Sequence, residues 1–118
     1  MDEISIYDLS KTTNDLIINL IIRINNLLEE FRDIKKQEIF CSDRIFFILE
    51  DFTALSESIN IISQENSSIN LEEFIEKLNL LYDSIRTKDN LLLMDILEFE
   101  INPLLQYWEQ VIKFTGQN

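Results

Sequence analysis

The chain has 118 residues, with 22 Asp+Glu against 10 Lys+Arg for a formal net charge of -12, and it contains one Gly, one Pro, one Cys and no His. Average usage supplies about fourteen Gly and Pro residues in such a length, so tight-turn residues are too scarce for an all-β or α/β fold. The lack of His removes imidazole acid–base catalysis, most catalytic zinc sites and the di-iron Glu-x-x-His motif.

Apolar spacing is helical nearly throughout. In the first segment Ile17, Leu20, Ile24, Leu27, Phe31 and Ile34 alternate steps of three and four, with Ser10, Thr12 or Thr13 placed to cap its start and Asp15 in its first turn. Ile45, Ile48, Phe52, Leu55, Ile59 and Ile62 repeat the pattern, with Ser42 as N-cap and Asp43 after it. Both segments share one heptad phase, so a single helix of about fifty residues competes with a break near residues 37–42. The break is preferred, because a lone helix that long lacks a folded partner in the remaining chain. Residues 63–70 form a polar loop. Asn70 then caps a third helix, with Glu73 three residues on, Ile69 placed to staple to Phe74, and a core face of Leu71, Phe74, Leu78, Leu81 and Ile85. Thr87 or Asp89 caps a fourth helix that runs to about Phe114, with Gly116 as its terminator. The expectation is one all-α domain over residues 1–118, an antiparallel bundle of about four helices whose last helix is kinked or broken at Pro103.

That fourth helix carries apolar residues on two sides. At about 100° per residue, Met94, Leu97, Ile101, Leu104, Trp108 and Val111 form the core stripe. Leu92, Ile96, Phe99, Pro103, Tyr107 and Phe114 form a second one nearly opposite, while Asp95, Glu98, Asn102, Gln106, Glu109 and Lys113 keep to a narrow polar arc. A bundle helix needs a stripe of only about 100°. The surplus places this helix centrally in the bundle or makes its second face a contact surface. Phe46 and Phe47 are a further surplus, lying off the core stripe of their own helix. Leu92, Ile96, Phe99, Tyr107, Phe46 and Phe47 are thus the candidate interface, most simply that of a homodimer. Glu100 falls inside the apolar arc, as a candidate buried carboxylate that fixes packing or binds a partner, with Arg23, Arg44 or Arg86 as its expected cation.

Little else points to chemistry. Glu73-x-x-Glu76 and Asp95-x-x-Glu98 resemble the magnesium-binding pairs of all-helical nucleotide pyrophosphatases, yet both pairs lie off the core stripes, where a bundle metal site cannot form. Cys41 has no His to act as its base and no CxxC partner, and Lys35-Lys36 reads as a basic helix end. No catalytic residue, cofactor or metal site is expected. The negative charge makes nucleic acid and membranes poor partners and a basic protein a better one. A first segment beginning Met1-Asp2-Glu3, a single Cys, and a longest apolar window of Leu16–Leu28 interrupted by Asn19, Arg23, Asn25 and Asn26 fit a cytoplasmic protein without a membrane span.

The run Lys88 to Leu105 followed by Trp108 has a Leu-rich stretch, then Glu98-Phe99-Glu100, Pro103 and a Trp. It resembles a C-terminal signature of small uncharacterised all-helical proteins of low-GC Gram-positive bacteria. That resemblance implies a chaperone-like or assembly role. From the two-sided fourth helix, the surplus aromatics and the charge, the expected function is a non-enzymatic interaction protein acting as a homodimer. The alternatives are an immunity or antitoxin protein for a basic partner and, least favoured, a magnesium-dependent nucleotide pyrophosphatase.

Overall fold

Amphipathic periodicity without turn residues becomes, in the computed structural model, a set of long helices; the structure describes residues 5–32 and 42–115. Among these lie α1 (Ile6–Arg32), α2 (Ser42–Ser63), α3 (Leu71–Arg86), α4 (Asn90–Ile96) and α5 (Asn102–Thr115), with no strand. A π turn, Leu97–Ile101, joins α4 to α5 end to end.

The helices run alternately up and down. Ion pairs Arg23–Asp51 and Arg44–Glu30 tie α1 to α2 in antiparallel register. In one continuous helix Glu30 and Arg44 stand about 21 Å apart, so their contact excludes the single-helix alternative. The preferred break near residues 37–42 falls mainly outside the described residues, as do Ile34, Lys35, Lys36, Cys41, Gly116 and the side chains of Ser42, Lys113 and Phe114. Against α1 on its other side lies α5, joined by the hydrogen bond from Asn102 Nδ2 to Asn25 Oδ1 at 3.0 Å and, from the π turn, by the Arg32–Glu98 pair. In turn α3 packs between α2 and α4, closing an elongated bundle of 48 × 22 × 22 Å.

Its core follows the expected stripes. Ile17, Leu20, Ile24 and Leu27 of α1 meet Ile45, Ile48, Phe52, Leu55, Ile59 and Ile62 of α2, all buried. Phe74 of α3 stands edge-on to Phe52 of α2 at 5.6 Å and to Trp108 of α5 at 5.1 Å, so one aromatic chain crosses the interior and links three helices.

Helix ends show both agreement and correction. Asn70 caps α3 by accepting from the Glu73 amide at 3.3 Å, and Ile69 is buried with Phe74 in the core as a staple would be. Ser5, not Ser10, Thr12 or Thr13, caps α1, accepting from the Asp8 amide at 3.1 Å. Ser10 and Thr13 instead continue the buried stripe of α1 one turn and more beyond Ile17. Between α3 and α4 the chain closes a Schellman motif: the Lys88 amide donates to Ile85 O and the Asp89 amide to Ser84 O, with Lys88 left-handed at φ 58. Of the two expected caps, Thr87 ends α3 and Asp89 starts α4, its carboxylate accepting from the Leu92 amide at 3.0 Å.

The last helix is interrupted next to Pro103, as expected, although the wide turn itself ends two residues before the proline. There the Asn102 amide reaches back five residues to Leu97 O. Helix α5 then restarts at Asn102, which places Pro103 in a first turn, where its missing N–H orphans no carbonyl that the new helix needs. The wide turn also solves a register problem. Leu93, Leu97, Ile101 and Leu105 are all buried, three successive steps of four. In a regular α-helix each such step drifts by about 40°, and the extra residue of a π turn takes up about 100° of the total.

Candidate functional site

The short α3–α4 connection brings two amphipathic helices side by side and leaves a groove along their outer seam. Its walls are Leu80 and Asp83 on α3, Leu92, Asp95 and Ile96 on α4, and Phe99 and Glu100 on the π turn; it encloses about 600 Å³. Leu80, Leu92 and Phe99 are 50%, 44% and 65% exposed, an unusual concentration of apolar surface on so acidic a chain. Asp83, Asp95 and Glu100 rim it.

The expected interface residues separate into groups. Leu92 and Phe99 come together in this groove, with Leu80 opposite. Ile96 does not belong to the exposed set: it is buried at 5% exposure, because the tight connection presses α4 against α3 and covers that flank. Tyr107 is exposed on α5, outside the groove lining. Phe46 and Phe47 are exposed near the start of α2, also outside it. A second, smaller groove of about 350 Å³ lies between α1 and α5, with Ile18, Ile21 and Ile22 facing Gln106, Glu109 and Gln110.

Glu100 is not a buried carboxylate. It lies in the π turn, where a regular wheel misplaces it, and its side chain is 46% exposed. Its partner is Lys77 of α3 at 2.9 Å, and not one of the three arginines. Those are engaged elsewhere: Arg23 with Asp51, Arg44 with Glu30 and Arg86 with Asp83. Lys77 is the more enclosed member, and the pair ties the π turn to α3.

Leu80 escaped the sequence reading, although a signal existed. It lies off the Phe74/Leu78/Leu81 stripe on the flank of α3 that turns toward α4, as an isolated apolar residue among polar ones. Asn102 was also misplaced, since it is buried against α1 and not part of a solvated arc.

The acidic pairs do not converge. Glu73 and Glu76 are exposed on α3, Asp95 is exposed on α4, and Glu98 is paired with Arg32. Among the described residues no group of three or more Asp, Glu, His and Cys side chains is arranged to hold a metal ion. No helix among them is long and apolar enough to cross a membrane.

One family model, described as Domain of unknown function (DUF8042), matches residues 8–111, from the first turns of α1 to the later turns of α5. No curated protein and no solved structure matches the chain.

Proposed function

The chain belongs to the DUF8042 family, whose function is unknown, and we propose that this member is a non-enzymatic interaction protein that holds a partner through the α3–α4 groove, in a chaperone-like or neutralising role. The observation that carries this reading is the convergence of Leu80, Leu92 and Phe99 on one seam. Each is an apolar side chain that the bundle leaves 44% or more uncovered, next to a core with Leu78, Leu81 and Leu93 already filled. A bundle needing only its own stability has no use for the additional stripe.

The test is site-specific photocrosslinking in cells that express the full chain. A crosslinking side chain at Phe99 is expected to give a discrete protein adduct that Leu92→Ser abolishes. The same group at Glu57, exposed on α2, is expected to give none. Equal adduct patterns at both positions, or none at Phe99, refute the reading.

Self-association is a second reading, favoured by adjacent Phe46 and Phe47, 53% and 58% exposed at the start of α2. Sedimentation across a wide concentration range tests it. A mass fixed at the 14.0 kDa of one chain removes the homodimer. A dimer lost on Phe47→Ser supports it and leaves the groove available to another protein.

A further inference from the structure

We propose that the α3–α4 groove takes a basic amphipathic helix of another protein, with two apolar side chains seated at Leu92 and Phe99 and Lys or Arg side chains set against the acidic rim. The proposal deepens the interaction reading above and rests on it, naming the class of partner.

The shape of the site is that of a helix receptor. Leu92 and Phe99 are seven residues apart along one wall, about 10 Å or two helical turns, which matches apolar anchors at i and i+7 on an incoming helix. Leu80 on the facing wall stands where an intermediate anchor at i+3 or i+4 would fit. On the outer strip of α3, Glu76, Leu80 and Asp83 follow at steps of four and three, so the apolar contact is bracketed by carboxylates on its own wall. Asp95, between Leu92 and Phe99, and Glu100 add carboxylates on the other.

Charge selects the partner. Lys77 already meets Glu100 at 2.9 Å, so the rim charge open to a partner is that of Asp95 and Asp83. Arg86 meets Asp83 in a largely exposed i,i+3 pair, which an incoming cation replaces at small cost. No ion pair among the described residues reaches Asp95. A second copy of this chain is a poor occupant, because it brings the same acidic rim and another formal charge of -12 against it. The same repulsion disfavours phosphate backbones and anionic lipid surfaces.

The test uses the full chain, isotopically labelled, and designed peptides of ~18 residues, a length of about 27 Å as a helix. One peptide carries Leu at i, i+3 and i+7 among Lys. A second has Gln for Lys, and a third scrambles the Lys and Leu order without changing composition. The Lys helix is expected to bind in fast or intermediate exchange and to shift the amide signals of Leu80, Leu92, Asp95 and Phe99. Asp83→Asn with Asp95→Asn is expected to weaken it about tenfold, as is raised salt. Phe99→Ser should remove the groove shifts while far-UV circular dichroism shows an intact bundle. The scrambled peptide should bind far more weakly.

Equal binding of the Gln and Lys helices overturns the basic class while leaving the interaction reading standing. Equal binding of the scrambled peptide, or indifference to Phe99→Ser, shows attraction to bulk charge and overturns the groove as the site. A concentration-dependent dimer abolished by Phe99→Ser makes the occupant a second copy and overturns the proposal. Failure of every peptide together with absence of a crosslink at Phe99 removes both this proposal and the reading beneath it.

Discussion

Deleting Phe99 should leave the bundle nearly as stable as before, whereas deleting Tyr107, eight residues on, should unfold it. The difference follows from register. The buried line Leu93, Leu97, Ile101, Leu105, Trp108, Ile112 advances by steps of four, four, four, three and four. Removing one residue between Leu97 and Ile101 converts this to four, three, four, three and four, the pattern of a straight α-helix at about 3.6 residues per turn. The π turn then becomes an α turn and both flanks keep their buried faces. Phe99 is 65% exposed, so its loss forfeits about a third of the ~1.5–3 kcal/mol that full burial of a Phe contributes, roughly 0.5–1 kcal/mol. Loosening the partly exposed Lys77–Glu100 pair adds about 1 kcal/mol. Deletion of Tyr107 instead turns Trp108 and Ile112, 0% and 1% exposed, by about 100° away from the core. Losing both from the interior costs about 5–10 kcal/mol, comparable with the ~5–15 kcal/mol that stabilises a typical domain. Urea unfolding followed by the fluorescence of the one Trp in the chain measures both. The reasoning is refuted if the Phe99 deletion destabilises as much as the Tyr107 deletion, or if the latter folds normally.

Other expected outcomes are simpler to check. Trp108→Ala should cost about 3–5 kcal/mol in chemical unfolding monitored by circular dichroism, because it empties the far end of the Phe52–Phe74–Trp108 chain; a loss below about 1 kcal/mol contradicts that packing. Lys88→Gly should stabilise by roughly 0.5–1 kcal/mol and raise the thermal midpoint, since a left-handed φ of 58 disfavours a side chain; a lowered midpoint argues against the Schellman turn. Asp89→Ala should cost about 0.5–2 kcal/mol by removing the cap from the Leu92 amide, with Asp89→Asn retaining most of the stability, and equal loss in both variants rejects the cap. Added salt should raise the thermal midpoint, as screening eases self-repulsion at a net charge of -12 more than it weakens surface ion pairs; a fall in midpoint reverses that ranking.

The four-rod architecture was legible because a three–four apolar rhythm survives almost any detail of packing. Phe52, Phe74 and Trp108 lie in the interior where their stripes put them. What the rhythm does not carry is the angle between rods and any departure from 3.6 residues per turn. The first omission misassigned Ile96: only the closeness of α3 to α4 covers it, and no wheel drawn for one helix contains its neighbour. The second misassigned Glu100, since a wheel at constant pitch does not follow the wide turn in which it lies. The cation for Glu100 came from Lys77, whose sequence separation of 23 offers no local signal. For the site, Leu92 and Phe99 were visible as surplus apolar surface. Leu80 was not recognised, because an isolated Leu beside a filled stripe gains meaning only when a second wall stands opposite.

Asp89 both completes the end of α3 and caps α4, so the two walls of the groove diverge from one hydrogen-bonded corner. A corner of this kind leaves no slack residue to act as a hinge, and the gap between the walls is already set in the free protein. Whatever settles there meets a rigid receptor, and the entropy of becoming ordered falls on the arriving segment. For a segment that is unstructured beforehand, association should show a large unfavourable entropy and a negative heat-capacity change, with the bundle's own amides outside the groove almost undisturbed.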